Sequence, residues 1–223
     1  FVLRHEEAYH LQLLSFFGRL NYTFIDRYLL TATLRADATS PYSKDNRWGW
    51  FPAVALAWKV TDEAFLESVR EVINELKVRL GYGVTGQQDL PDKYFPYLPV
   101  YQESTEGSYY PSLNGGKDED GNYIYGPTLY PKGYDANLKW EETTTWNAGL
   151  DFAFLNNRIT ASLDYYFRKT KDLLSNVPVY PGSTTTNMLD RNIGTLENRG
   201  IEFSINAKPI VTKDFTWSVG YNI

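Results

Sequence analysis

Residues 158–170 read R-I-T-A-S-L-D-Y-Y-F-R-K-T. Ile159, Ala161, Leu163, Tyr165 and Phe167 form one alternate set; Thr160, Ser162, Asp164, Tyr166 and Arg168 form the other. Successive side chains leave a strand on opposite faces, so this period of two predicts a strand with one apolar and one polar face. Two architectures satisfy it. In a soluble β-sandwich the apolar face packs inward against a second sheet. In a membrane barrel it faces lipid, and the polar face lines the interior.

The same alternation recurs on either side. With this stretch, eight segments carry it: 14–24, 28–36, 50–60, 76–84, 144–154, 159–167, 201–207 and 215–223. No charged residue falls on the apolar face of any of them. The opposite face carries Arg19, Asn21, Arg35, Asp37, Lys59, Lys77, Arg79, Asn147, Asp151, Asp164, Arg168, Glu202, Asn206 and Lys208. Small residues such as Ala53, Ala55, Gly81, Gly83, Ser204 and Gly220 lie between them, and Phe17, Leu29 and Phe51 are apolar exceptions. The connections alternate too. Those at 25–27, 155–157 and 211–214 are short; those at 39–49, 87–142 and 171–197 are long. The connection at 61–75 is intermediate and reads as a short helix, with Asp62 as N-cap before E-A-F-L-E-S-V-R.

Composition narrows the choice. The 223 residues suffice for one all-β domain or two small ones, and a net charge of -5 with pI near 5.1 argues against nucleic acid as a partner. The absence of cysteine excludes disulfides and thiolate metal sites. No apolar run approaches the ~18 residues of a membrane helix, but a barrel strand needs only ~9–11. Aromatic residues gather around the short turns: Tyr22, Phe24 and Tyr28 at one, Phe152 and Phe154 at another, Phe215 and Trp217 at a third. Interfacial girdles place aromatics there. One-sided loops, girdle aromatics and exclusion of charge together favour the barrel. Phe1 at the start and a strand pattern interrupted at Ile223 read as a piece of a longer protein.

Four stretches carry a family resemblance: D-N-R-W-G-W-F-P-A-V-A-L-A-W-K-V-T-D-E-A-F-L at 45–66, L-K-V-R-L-G-Y-G-V-T-G-Q-Q at 76–88, N-L-K-W-E-E-T-T-T-W-N-A-G-L-D-F-A-F-L-N-N-R-I-T at 137–160, and N-I-G-T-L-E-N-R-G-I-E-F-S-I-N-A at 192–207. In that order they resemble the SusC/RagA family of TonB-dependent outer-membrane transporters of Bacteroidetes. The resemblance implies an all-β, antiparallel transmembrane barrel segment: about eight strands from the C-terminal half of a barrel of about 22. It implies that residues 1–223 are one partial barrel domain with a long loop at 87–142, and that the plug and its TonB contact lie outside this sequence. It also implies a bacterial outer-membrane setting in the lipid bilayer, oligosaccharide or peptide cargo, and a SusD-like surface lipoprotein over the extracellular loops. It implies no enzyme activity and no cofactor. A soluble carbohydrate-binding β-sandwich and a small closed eight-strand barrel stand as alternatives.

Several motifs invite chemistry. H-E-E-A-Y-H, His5 to His10, spaces its histidines at i and i+5, whereas a zinc-protease helix needs i and i+4. A polar lead-in to a strand fits better. Asp118, Asp120 and Asn122 resemble the start of a calcium loop, but Gly121 comes one position early and no glutamate follows at the required distance, so a tight turn is expected. Asp151 and Asp164 form a candidate carboxylate pair for glycoside hydrolysis; pairing with a wall arginine such as Arg158 or Arg168 is expected instead. Trp48 to Pro52 reads as an interfacial anchor, with Pro52 ending or bulging the strand near its rim. The long loop carries Tyr94, Tyr97, Tyr101, Tyr109, Tyr110, Tyr123, Tyr125, Tyr130, Tyr134 and Trp140. Most are expected to pack the loop against itself. Tyr109, Tyr110, Tyr123 and Tyr125, around its turn-rich centre, are the candidates for ligand or partner contact.

Overall fold

The computed structural model describes residues 10–88, 95–103, 109–111, 116–131, 133–180 and 188–223. Its strands are β1 (Leu13–Phe24), β2 (Tyr28–Thr39), β3 (Trp48–Lys59), β4 (Ile73–Gln87), β5 (Tyr101–Glu103), β6 (Tyr109–Pro111), β7 (Tyr125–Pro127), β8 (Leu129–Pro131), β9 (Glu141–Phe154), β10 (Ile159–Lys171), β11 (Leu174–Pro178), β12 (Met188–Asn192), β13 (Thr195–Val211) and β14 (Thr216–Asn222). The eight long strands are the eight alternating segments. They form one antiparallel sheet in the order β1-β2-β3-β4-β9-β10-β13-β14. The short strands pair as β5-β8, β6-β7 and β11-β12 within the long connections.

The apolar face is uncovered. Leu20 is 59% exposed, Trp50 61% and Leu80 53%. A sandwich would bury these residues against a second sheet, and among the described residues only two-stranded ribbons accompany the main sheet. The sandwich alternative is therefore not what the chain forms. Nor is the sheet closed: β1 and β14 are its two edges. The small eight-strand barrel falls with that observation.

The register shows a wall built on a slant. Phe24 pairs with Tyr28, then the row runs through Trp58, Val78, Leu150, Leu163 and Phe203. Phe24 is the last residue of β1 before a short turn, whereas Phe203 lies eight residues before Val211, the corresponding end of β13. Eight residues at ~3.3 Å, over six strand steps of ~4.8 Å, correspond to a tilt of about 40°. Barrel walls tilt by ~35–45°.

Two connections depart from expectation. The intermediate one is not a single capped helix but two 3-10 turns, Val60–Asp62 and Ala64–Val69. Asp62 lies inside the first turn and is not an N-cap. Glu63 stands at the cap position of the second without bonding its amides. Its carboxylate is occupied elsewhere, accepting from Arg27 Nη1 at 3.0 Å, Tyr28 Oη at 2.6 Å and Trp58 Nε1 at 3.0 Å. The short turns also break the usual residue preferences. Ile25 and Asp26 have φ of 50° and 52°, and Leu155, Asn156 and Asn157 have 54°, 56° and 60°. Such mirror-image turns match the twist of a hairpin, though Ile and Leu pay a steric penalty at positive φ.

The compact core is small and sits at the loop end. Tyr42, Phe51, Leu138 and Trp140 are buried together, with Val84 and Leu174 packed on them. It forms where the wall splits. The β3-β4 ladder stops at Ala53 opposite Gly83, while β2-β3 pairing continues to Ala38 opposite Trp48 and β4-β9 pairing continues to Gln87 opposite Glu141. Pro52, which has no N–H to donate, stands next to the last pair. The strand therefore does not end at Pro52; its ladder to β4 does.

Candidate functional site

The polar face of the sheet is the surface with chemical specificity. At its centre Arg79 of β4 holds two carboxylates. Its Nε and Nη2 each donate at 2.8 Å to Asp151 of β9, and Nη2 also meets Asp164 of β10 at 2.9 Å. The strand between them must be flat: a Cβ on Gly149 would stand 2.7 Å from Arg79 Nη2. The carboxylates thus pair with a wall arginine, as expected, but it is Arg79 and not Arg158 or Arg168. Arg79 reaches both because Gly149, which pairs with both residue 79 and residue 164, leaves its path open.

Further bonds cross the same face. Ser162 and Ser204 hydroxyls lie 2.8 Å apart, as do those of Thr143 and Thr170. Arg35 donates from Nε to Asp37 at 2.8 Å and from Nη2 to Ser15 at 3.4 Å. Between these groups Thr31, Thr33, Ala53, Ala55, Gly81, Gly83 and Thr145 line a shallow groove of about 370 Å³, bordered by Arg19 and Asn147.

The four candidate tyrosines lie on neighbouring loop elements. Tyr109 pairs with Pro127, Tyr110 with Gly126 and Pro111 with Tyr125. Alternation sends Tyr110 and Tyr125 to opposite faces of this ribbon, so they do not make one platform. Tyr110 is 68% exposed, Tyr123 54% and Tyr125 58%; the side chain of Tyr109 lies outside what is described. Lys117 Nζ sits 4.8 Å from the centre of the Tyr123 ring, and the two residues form a β-bridge. Between them is the turn expected from the sequence. Asp118 accepts from the backbone N–H of Asp120 at 3.0 Å and of Asn122 at 2.8 Å, and Gly121 takes a φ of +85°. These bonds, led by that from Asn122, hold the Asp118 carboxyl below its ordinary range. Its carboxylate thus braces the tight turn that the sequence leads one to expect. His5 of the H-E-E-A-Y-H motif and Tyr94 lie outside the described residues. Trp140, one of the loop aromatics, is buried in the loop-end core, where its indole N–H donates to the Arg47 carbonyl at 3.0 Å.

Arg79 was visible in the sequence as a polar-face residue, but nothing in its spacing joined it to Asp151 and Asp164, 72 and 85 positions away. Glu63 carried no signal of its own beyond a misleading place before a helix-like run.

An open antiparallel sheet slanted like a barrel wall, apolar and exposed on one face, charged and cross-linked on the other, defines a segment of an outer-membrane β-barrel. The chain belongs to the TonB-dependent receptors: the family described as TonB dependent receptor-like, beta-barrel matches residues 7–223. Proteins of this family are outer-membrane receptors and transporters. The TonB-dependent receptor SusC of Bacteroides thetaiotaomicron is 53% identical over 99% of this chain and 21% of its own length. The TonB-dependent receptor P39 of Formosa agariphila is 38% identical over 93% of this chain and 18% of its own length. The chain thus spans about a fifth of the length of the curated relatives it matches. In structure it is similar to the RagAB peptide importer in its open-open state, with a TM-score of 0.78 and 24% identity over 95% of this chain and 21% of that one. The siderophore receptor PirA of Pseudomonas aeruginosa shares the fold, with a TM-score of 0.57 and 16% identity over 95% of this chain and 34% of that one.

Proposed function

We propose that this chain forms part of the wall of a TonB-dependent outer-membrane importer for oligosaccharides or peptides. A SusD-like surface lipoprotein covers its loop side, and TonB acts through a plug segment that this sequence does not contain. In this reading residues 1–223 are one partial barrel domain. The observation that carries it is the asymmetry of the sheet: an outer face fit for lipid and an inner face fixed by Arg79, Asp151 and Asp164. The inner face stays polar and shallow because Gly, Ala and Thr line it, which leaves room for a plug or passing solute. The exposed Tyr110, Tyr123 and Tyr125, with Tyr109 beside them, serve as contacts to cargo or lipoprotein. The similarity to the TonB-dependent receptor SusC, together with a fold shared with a peptide importer, supports this reading.

Deletion of the full-length gene, with complementation in trans, tests this. Uptake of fluorescent oligosaccharides or peptides should disappear, return with the wild-type copy and require TonB. The full-length protein should need detergent and co-purify with a lipoprotein. A deletion strain that imports normally, or a parent protein soluble without detergent, would sink the proposal.

A further inference from the structure

The connection from β3 to β4 lies at the rim of the short turns, which outer-membrane barrels direct to the periplasm. Alternation places Tyr28 and Trp58 on the apolar face of the wall. Their rings stack at 6.3 Å and continue the aromatic row of Tyr22 and Phe24. Glu63 accepts from the polar tips of both, at 2.6 Å from Tyr28 Oη and 3.0 Å from Trp58 Nε1, so its carboxylate stands on the outer side of the wall. At the far end of the connection the Val72 carbonyl accepts from the backbone N–H of Leu155 at 3.1 Å. The segment thus follows the rim from the start of β2 to the β9-β10 turn. We propose that residues 60–72 form an interfacial foot, tethered by Glu63, that lies in the phospholipid surface of the leaflet on this side. The proposal depends on the lipid-facing wall and not on which cargo is imported.

Three observations support it. First, the segment presents apolar side chains that the described residues leave uncovered. Phe65 is 68% exposed and Val72 54%; Val69 and the neighbouring Leu155 are exposed as well, and no residue of the turn Ala64–Val69 is buried. Apolar groups gathered on one short exposed segment mark a surface that a partner covers. Second, position selects lipid as that partner. At a membrane interface the rings of Tyr and Trp face the acyl chains while the hydroxyl and the indole N–H reach headgroup level. Glu63 is bonded to those two atoms, so the turn that follows it starts at headgroup depth, beside a face that already meets lipid. Third, the polar groups of the segment are satisfied locally. Arg27 Nη1 pairs with Glu63 at 3.0 Å, Arg70 Nε donates to the Thr61 carbonyl at 2.7 Å, and Thr61 Oγ1 accepts from the Leu76 N–H at 3.0 Å. Groups paired in this way lose little when water is thinned around them, and exposed Glu67 and Glu71 are long enough to keep their charges in the headgroup layer. Binding of this kind grows with the apolar area buried in the interface, which makes Phe65 the main contributor.

The test uses the full-length protein in vesicles of phosphatidylethanolamine and phosphatidylglycerol. Phe65→Cys and Val72→Cys each carry a nitroxide, with Leu163→Cys as the lipid-face control and Glu119→Cys as the control in the long loop. Power saturation compares collisions with oxygen, which concentrates in the bilayer, and with a water-soluble nickel chelate. The oxygen-to-nickel ratio at positions 65 and 72 should lie above that of Glu119→Cys and below that of Leu163→Cys. Adding Glu63→Ala should lower the ratio at position 65 toward the loop value and leave the ratio at Leu163→Cys unchanged. All variants should keep the heat-sensitive gel mobility of a folded barrel. A ratio at positions 65 and 72 equal to that of Glu119→Cys places the segment in water and overturns the foot. Shielding from both reagents places it under protein and overturns it as well. A ratio at position 65 that ignores Glu63→Ala overturns Glu63 as the tether. A Leu163→Cys label without preference for oxygen overturns the lipid-facing wall, and the foot with it.

Discussion

Leu163 and Ser162 are neighbours in the chain and opposites in the sheet. The outer face, to which Leu163 belongs, is specified by exclusion: any apolar residue serves, and no charge is admitted. The inner face, to which Ser162 belongs, is specified by pairs, each with its own partner and distance. A solvent decides the first and individual geometry decides the second. Sequence alternation therefore describes the outer face fully and the inner face only as a set of polar positions.

The largest expected effect breaks the outer rule. Leu163→Arg places a charge at mid-wall on the lipid face, at a cost of about 2–4 kcal/mol. The full-length protein should fail to assemble in membranes, while Ser162→Arg, one residue away, should assemble. Equal behaviour of the two in a heat-modifiability gel would remove the assignment of faces. Next comes the inner rule. Arg79→Ala leaves Asp151 and Asp164 facing each other without their cation, and because all three side chains are partly solvated we expect a loss of about 2 kcal/mol. Adding Asp151→Asn and Asp164→Asn should recover most of it in a urea-unfolding measurement. A single Arg79→Ala as stable as wild type would show that the clamp contributes nothing.

Gly86→Val tests the loop-end core. Its side chain would occupy the place of the Phe51 ring, and overpacking of this kind costs about 1–3 kcal/mol. Trp140 fluorescence should shift as the ring contact between Phe51 and Trp140, 5.3 Å between centroids, is lost.

Glu63 belongs to neither face and gives a smaller, pH-dependent effect. The Tyr28 hydroxyl, then the Trp58 indole N–H, with Arg27 adding less, hold its carboxyl below its usual value. A depressed folded pKa gives stability that is present above the unfolded pKa, near 4.5, and is lost as pH falls through the folded value. Hydrogen exchange in residues 60–72 should accelerate below that range in the wild type. Glu63→Gln should exchange fast already at neutral pH and show little further change on acidification. The smallest effect on stability belongs to Tyr109→Ala with Tyr110→Ala. Both stand on the short β6-β7 ribbon, where Tyr110 is exposed, so unfolding should be unchanged while cargo uptake or lipoprotein binding falls; unaltered uptake and binding would remove them as contacts.

The eight strands, their order along the sheet and the side carrying the long loops were legible in the sequence. All depend on the period-two pattern and on connection length, which are local quantities. The carboxylate partners were legible only as a class, since an arginine was expected and Arg79 lay too far along the chain for spacing to select it. The helix at 61–75 was misread because Glu63 satisfies a tertiary cluster instead of the local amides. Gly86 and Gly49 gave no sign that the ring of Phe51 rests on them. Ile25 and Leu155 gave no sign of their left-handed turns, which glycine or asparagine would have announced.

What the sequence determined by itself is therefore the partition of the alternating segments between an apolar and a polar face, because a strand alternates whatever its neighbours do, except where the register shifts between Ile73 and Glu75 and between Ala207 and Ile210. The tertiary structure alone decided the register that tilts the wall, the clamp at Arg79, and the split between β3 and β4 in which the Phe51 ring lies over Gly49 and Gly86. Those depend on which residue of one strand lies opposite which of the next, and a slip of register would part each of these residues from its partner.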